Sequence, residues 1–368
     1  MKVNKDNENN RLNVSELSLR YISYLIDCIV ILGISSLIVV FEKLTPIFLV
    51  AFFRYYFVLS PLFPAYSDKI LFYSLFFYIL VSIIYFFVES VTGKSIGKKI
   101  CGIKSVKLQD KKEGQHKKTI MDNILSALVK SIPPIQLING VFAFNGRYSR
   151  TILEKHFGET TVRYGKAGVT RHILYGSIGL YFISFTIMLI DIGIFNLSPL
   201  NPSPPRSSNF VYSPTLTQLR SIFTGNLSID LYKYVLGGIV FLFLDVITLM
   251  GNSYLSALLI GGSFHSLPSF VLYGVAPHFF IESIGYCFGI ATGALIMDFF
   301  FSIIQGYFAN MDSTYIAKKI VITSIEMLKL FLISVILILL GAFVETYITS
   351  FLLKTYYYNS TIILNMKY

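Results

Sequence analysis

Charge is scarce in this 368-residue chain: only 14% of its residues are Asp, Glu, Lys or Arg, where a soluble domain carries roughly 25%. Acid is scarcer than base, with 20 Asp and Glu against 31 Lys and Arg. Cysteine is scarce too. Three residues are too few for a disulfide framework. Cys28 and Cys287 lie in apolar runs and Cys101 in a lysine-rich loop, so all three are expected to be reduced. No cleavable leader is expected, because the polar first 18 residues precede an apolar run that is too long and lacks a small-residue cleavage site. What fills the chain is apolar: 54% hydrophobic residues and a mean hydropathy of +0.65. Several uninterrupted runs approach or exceed the ~18-residue spanning threshold. These features exclude a soluble enzyme, a disordered protein and a secreted disulfide scaffold. They predict an all-α polytopic membrane protein.

Apolar length set against flanking charge predicts about seven spans, near Leu19–Phe41, Ile70–Val88, His172–Ile194, Leu231–Met250, Tyr254–Pro277, His278–Phe301 and Glu326–Ile348. Residues 44–66 carry Arg54 at their centre, which is costly in lipid, and are read as an outer interfacial helix. Residues 123–144 are broken by Pro133-Pro134 and read as a re-entrant or interfacial hairpin. With the N-terminus inside, 23 of the 31 Lys and Arg fall on the cytoplasmic side, which favours that orientation and an external C-terminus. The Asn-x-Ser/Thr triplets at Asn196, Asn226 and Asn359 then lie outside, and the one at Asn13 does not.

The Pro/Ser-rich stretch 196–209 is read as an external loop. Valine and lysine alternate in GIKSVKLQDKKEG, which predicts a short cytoplasmic β-hairpin turning at Lys112–Gly114. Residues 1–18 are read as a cytoplasmic tail, 19–170 and 171–350 as two membrane modules, and 351–368 as a C-terminal tail.

Two sets of motifs, one in each half, give these modules a family likeness. RYISYLID places Arg20 at the mouth of the first span with Asp27 two turns deeper, and TGKSIGKKICGIKSV follows the second span with Gly93, Gly97 and Lys98. Together with FNGRYSRTILEKHFGETTVRY, these residues resemble the RDD family of membrane modules over about residues 11–165. Glu154 stands where that family usually has its second aspartate. The second half carries IFTGNL with Asn226, TLMGNSYLSALLIG with Asn252, APHFFIES with Pro277, His278 and Glu282, and LGAFVETYIT with Glu345. It resembles the stage II sporulation protein M family of integral membrane proteins, although Ser253 replaces the more usual glycine. The resemblance implies one assembly holding both modules, with protein partners such as a MoxR-type ATPase system.

Eight acidic side chains sit at or near membrane depth: Asp27, Glu89, Asp122, Asp191, Asp245, Glu282, Asp298 and Glu345. Arg20 and Lys130 are the basic residues at similar depth. Buried carboxylates are costly there and are functional candidates by default. The plainer reading has Glu89, Asp122 and Asp298 hydrogen-bonding across helices as neutral acids; for Asp27, Glu282 and Glu345 both readings stay open. Arg20 and Asp27 share a helix face but lie ~10.5 Å apart along the axis. Asp27 is therefore expected to partner another helix, and Arg20 to reach the inner headgroups or act only as a positive-inside anchor.

His278, Glu282, Gly285, Gly289 and Gly293 fall in one stripe ~80° wide. The glycines form the small-residue ridge on which another helix packs closely. His278 and Glu282 are read either as a proton- or cation-binding pair or as caps on the first turn after Pro277. No zinc-type spacing appears, so no metal and no cofactor are expected. GKSIGK lacks phosphate-loop spacing and is read as a lysine surface meeting anionic lipid headgroups. No nucleophile and base are spaced for catalysis, which argues against an enzyme. Two functions remain: a non-enzymatic scaffold in a cytoplasmic-membrane complex, open to homo-oligomers and without nucleic acid, or a proton-coupled transporter of a monovalent cation or small ligand.

Overall fold

The computed structural model describes residues 16–41, 68–107, 119–132, 135, 136, 139, 151, 154, 156, 159–164, 168–195, 214–237, 271–308 and 313–358. The expected interfacial helix at 44–66, the hairpin turn at Lys112–Gly114, Pro133-Pro134, the loop 196–209 and Asn252 lie outside these residues. So do most of the expected spans Leu231–Met250 and Tyr254–Pro277.

The described residues are overwhelmingly helical. In order come α1 (Leu17–Phe41), α2 (Asp68–Thr92), the short α3 (Ile96–Ile100), β1 (Ile103–Lys107), α4 (Ile120–Lys130), β2 (Glu159–Arg163), α5 (Val169–Phe195), α6 (Leu216–Ile229), α7 (Ala276–Phe308) and α8 (Ser313–Phe343). Wide π-helical turns follow α6 (Asp230–Val235), precede α7 (Val271–Val275) and follow α8 (Val344–Thr349). Among the described residues, three helices are long and apolar enough to cross a membrane: Leu17–Ser35, Val271–Ile304 and Ile316–Tyr356. The three cysteines are free.

Two sequence expectations are corrected. Strand β1 does not turn back locally; it pairs antiparallel with β2, with Ile103 opposite Arg163 and Ser105 opposite Thr161. The residues after Gly114 are Gln, His and two Lys, with nothing to bury. β2 instead brings Thr160, Thr161 and Val162, all buried, and β-branched residues suit a pleated, half-buried surface. Nor does Pro277 separate two spans, because one helical run passes through it from Val271 to Phe308. A proline lacks the N–H of the helical ladder and crowds the preceding turn. The π turn immediately before Pro277 widens the pitch where that crowding falls.

One continuous core joins the two halves. Helix α5 lies on α1, where a side chain at Gly176 would meet Ile22 and Cys101, and Ser283 of α7 donates to the Tyr181 hydroxyl of α5 at 3.0 Å. The tightest tie is at the start of α1. Ser18 donates its backbone N–H to one Asp298 oxygen at 3.1 Å and its hydroxyl to the other at 2.5 Å. The first N–H groups of a helix have no partner within it, and a carboxylate there also meets the positive end of the helix dipole. A side chain of α7 thus caps α1.

Asp298→Ala leaves that N–H and hydroxyl buried without an acceptor, at a cost of about 1–3 kcal/mol. The thermal midpoint in detergent falls by several degrees, read by a thiol-reactive dye as the buried Cys101 and Cys287 become accessible. Asp298→Asn, which keeps one acceptor oxygen, loses less. An unchanged midpoint for Asp298→Ala would remove this tie from the fold.

Candidate functional site

The stretch between α2 and β1 is built around one close approach. Helix α2 ends at Gly93, whose φ of +69° is a left-handed conformation that suits glycine. Ser95 then caps α3, its hydroxyl accepting from Lys98 N–H at 3.1 Å. Gly97 faces α1 so closely that a Cβ would run into the Ser23 carbonyl. This contact delivers the Gly97 N–H to Asp27 Oδ1 at 2.7 Å. The same carboxylate accepts from Tyr85 of α2 at 2.6 Å and from Ser95 at 2.6 Å. Asp27 is therefore partnered from outside α1, as its distance from Arg20 requires.

Arg20 and Lys98 do not face lipid headgroups, contrary to expectation. Arg20 points into the protein and pairs with Glu154 at 2.7 Å. Glu154 also accepts from the Thr161 hydroxyl at 2.5 Å and the Thr151 N–H at 2.9 Å, so it ties α1 to β2. Burial pushes the Glu154 carboxyl up, but Arg20 and these hydrogen bonds outweigh it and hold it below the usual carboxylate range. Lys98 turns inward to Glu89 and to the Ser105 hydroxyl, and Lys130 meets the other Glu89 oxygen. Glu89 is thus an ion-paired carboxylate between two ammonium groups, not a neutral acid. Desolvating a carboxylate is tolerable when both its oxygens are answered in this way. Asp122 is corrected as well, since it closes a capping box with Thr119 on its own helix.

Arg20, Asp27, Glu89, Lys98, Lys130 and Glu154 line one cavity of ≈ 80 Å³, enough for several waters. These residues come from five separate pieces of chain, and the fold gathers them at one end of α1.

A second cluster lies in the other half. His278, Glu282 and Glu345 each offer a ligand atom, all within 4.8 Å of one another. Asn226 of α6 donates to Glu282 at 2.7 Å, and the His278 ring lies 3.4 Å from the Thr349 hydroxyl. Glu282 lies over Gly341 of α8, where a Cβ would collide with its side chain. Four motif residues of the second half, Asn226, His278, Glu282 and Glu345, thereby meet. Sequence spacing shows no such donor set, because Glu345 arrives from another helix. The imidazole and carboxylates form a mixed nitrogen and oxygen set of the kind that binds divalent ions.

The glycine ridge serves two neighbours: Gly285 packs on Leu337 and Ile338 of α8, and Gly289 on the Asp230 carboxylate, while Gly293 is buried on the same helix. Asp230 is fully buried, accepts from Ser334 at 2.8 Å, and keeps its other oxygen without a hydrogen bond among the described residues. Sequence reasoning missed it as lying just before a span. Its position four residues after Asn226, on the same helix face, was the available signal.

Two outcomes test the first site. Gly97→Ala forces α3 off α1 and lowers stability by about 1–3 kcal/mol, measured by the same thiol-dye melt; an unshifted midpoint would contradict the close approach. The native Glu154 value is depressed, so its stabilisation is complete above the unfolded carboxylate value near 4.3 and is lost as pH falls through the lower native value. Wild type therefore melts above Glu154→Gln at pH 7, and the gap closes on acidification. A gap independent of pH would count against the ion pair.

Comparison with known proteins gives a match to the RDD family model over residues 14–201, which takes in α5 as well as the Asp27 cavity. No curated protein and no solved structure matches. The matched stretch is a membrane domain and holds one of the three long apolar helices, Leu17–Ser35, and it covers just over half of the 368 residues. The chain is a membrane protein and belongs to the RDD family.

Proposed function

We propose that the chain moves a proton or cation within the membrane, with the His278, Glu282 and Glu345 cluster as its binding site. The observation that carries this reading is the convergence of an imidazole and two carboxylates within 4.8 Å. Two carboxylates so close repel each other unless a proton or a cation sits between them. In the first half, by contrast, the Asp27, Glu89 and Glu154 carboxylates each have their donors, and those groups hold the frame. The resemblance of the second half to the stage II sporulation protein M family belongs to the same proposal. So do the cytoplasmic N-terminus and a multi-span topology in which Val271–Ile304 is a single crossing.

A second reading, a non-enzymatic scaffold, draws on α8. Its apolar window is the least buried of the three long helices, and Leu328, Leu332, Ile336 and Leu339 stand exposed along it. Such a face suits lipid or a partner helix equally. Under this reading it docks another membrane protein or a second copy, and a MoxR-type ATPase system is a partner on the cytoplasmic side.

Proton and cation flux in proteoliposomes separates the two. Wild type carries a flux that Glu282→Gln and Glu345→Gln each reduce at least about tenfold, the loss expected when a residue needed at the binding step is removed, while both variants keep the wild-type melting midpoint. No flux in wild type, or flux indifferent to both substitutions, overturns the transport reading.

A further inference from the structure

A second cavity, of ≈ 970 Å³, opens along the outside of α2 where that helix meets α3 and the β1–β2 pair. Its lining changes character from one end to the other. Val81, Ile84 and Val88 form one stripe of α2 at spacings of three and four residues, with Ile34 of α1 beside them. Ile34, Ile84 and Val88 are exposed. Beyond the end of α2 the apolar wall gives way to Lys94, Lys99 and Lys104, all exposed. None of these three forms an ion pair among the described residues. Glu89 also touches the cavity, but both its oxygens are held by Lys98 and Lys130. The three rim lysines are therefore left with net positive charge beside an apolar trough.

We propose that this groove seats an anionic phospholipid, with acyl chain along Ile34, Val81, Ile84 and Val88 and phosphate between Lys94, Lys99 and Lys104. The charge pattern selects this occupant. A soluble anion would have no use for the apolar wall, and a neutral lipid none for the lysines. The lysines lie just past the last turn of an apolar helix, where headgroups lie. Basic groups at that level each contribute about 1 kcal/mol toward an anionic surface, about fivefold in affinity. The site narrows the expected contact between a basic surface and lipid to one groove, and it uses Lys94 and Lys99 of the motif while Lys98 is committed inward.

Native mass spectrometry of the full chain in detergent tests this, titrating phosphatidylglycerol and phosphatidylcholine with identical acyl chains. One phosphatidylglycerol binds about tenfold or more tightly than phosphatidylcholine. The double substitution Lys99→Ala with Lys104→Ala abolishes that preference without moving the melting midpoint, since both side chains are exposed. Val88→Trp, which fills the apolar wall, weakens both lipids. Equal binding of the two lipids by wild type, or a preference that survives the double substitution, overturns the proposal.

Discussion

A carboxylate buried in a helix bundle must be met by donors, and at Asp27 the donors come from the two elements that follow the first span. Tyr85 reaches in from α2, and Ser95 and the Gly97 N–H reach in from the start of α3. The requirement is geometric as much as electrostatic. The Gly97 N–H arrives only if α3 touches α1, which leaves no room for a side chain at position 97. It also requires α2 to stop at once, which Gly93 does. Once α3 is seated, Lys98 lies against Glu89 and β1 starts beside α1. The pairing of β1 with β2 then brings Thr161 to Glu154, and Glu154 to Arg20. A five-residue helix thus sets the positions of three carboxylates and their cations.

The class of protein and the RDD likeness of the first half were legible in the sequence, because both depend on local pattern. Long apolar runs announce helices, and RYISYLID with TGKSIGKKICGIKSV marks the residues that later meet. What they meet was not legible. Arg20 at the mouth of a span reads as a headgroup anchor, and only its contact with Glu154, 134 residues away, shows otherwise. Lys98 looks like its exposed neighbours Lys94 and Lys99 until the helical phase of α3 turns it inward. Strand β1 was visible from its alternation, but its partner was not, since pairing register follows burial on a distant segment. The pitch change at Pro277 escaped for a similar reason. Proline breaks a helix in the average case, and a π turn that absorbs it leaves no mark in the composition.

Electrostatically, the two halves are built differently. Around Arg20 and Asp27 the groups form a closed set: two ammonium groups on Glu89, one guanidinium on Glu154, and three hydrogen-bond donors on Asp27. Removing one member of such a buried pair leaves an unanswered charge and costs more than the pair contributes, so the set resists movement. Around Glu282 the balance is open. One carboxylate has an amide donor, the other adjoins it, and the imidazole has a long contact to a hydroxyl. Asp230, with one oxygen free of hydrogen bonds among the described residues, lies one helical turn beyond Asn226 on the same face. Three π turns adjoin these residues, and such wide turns recur where helices carry function.

The connection between the halves gives this contrast a mechanical sense. Asp298 and Glu282 are 16 residues apart on α7, ~24 Å along its axis, so the helix that holds the open cluster at one end caps α1 at the other. The Ser18–Asp298 tie pins that far end to the closed, RDD half. A change of charge between Glu282 and Glu345 acts across the contact of α7 with α8, because the two carboxylates belong to the two sides of it. With α7 held at its far end, the member left to move is α8, whose apolar window is the least buried of the three long helices. Under the proposed transport reading, charge at the cluster acts on the position of α8, and the RDD half serves as the frame against which it moves.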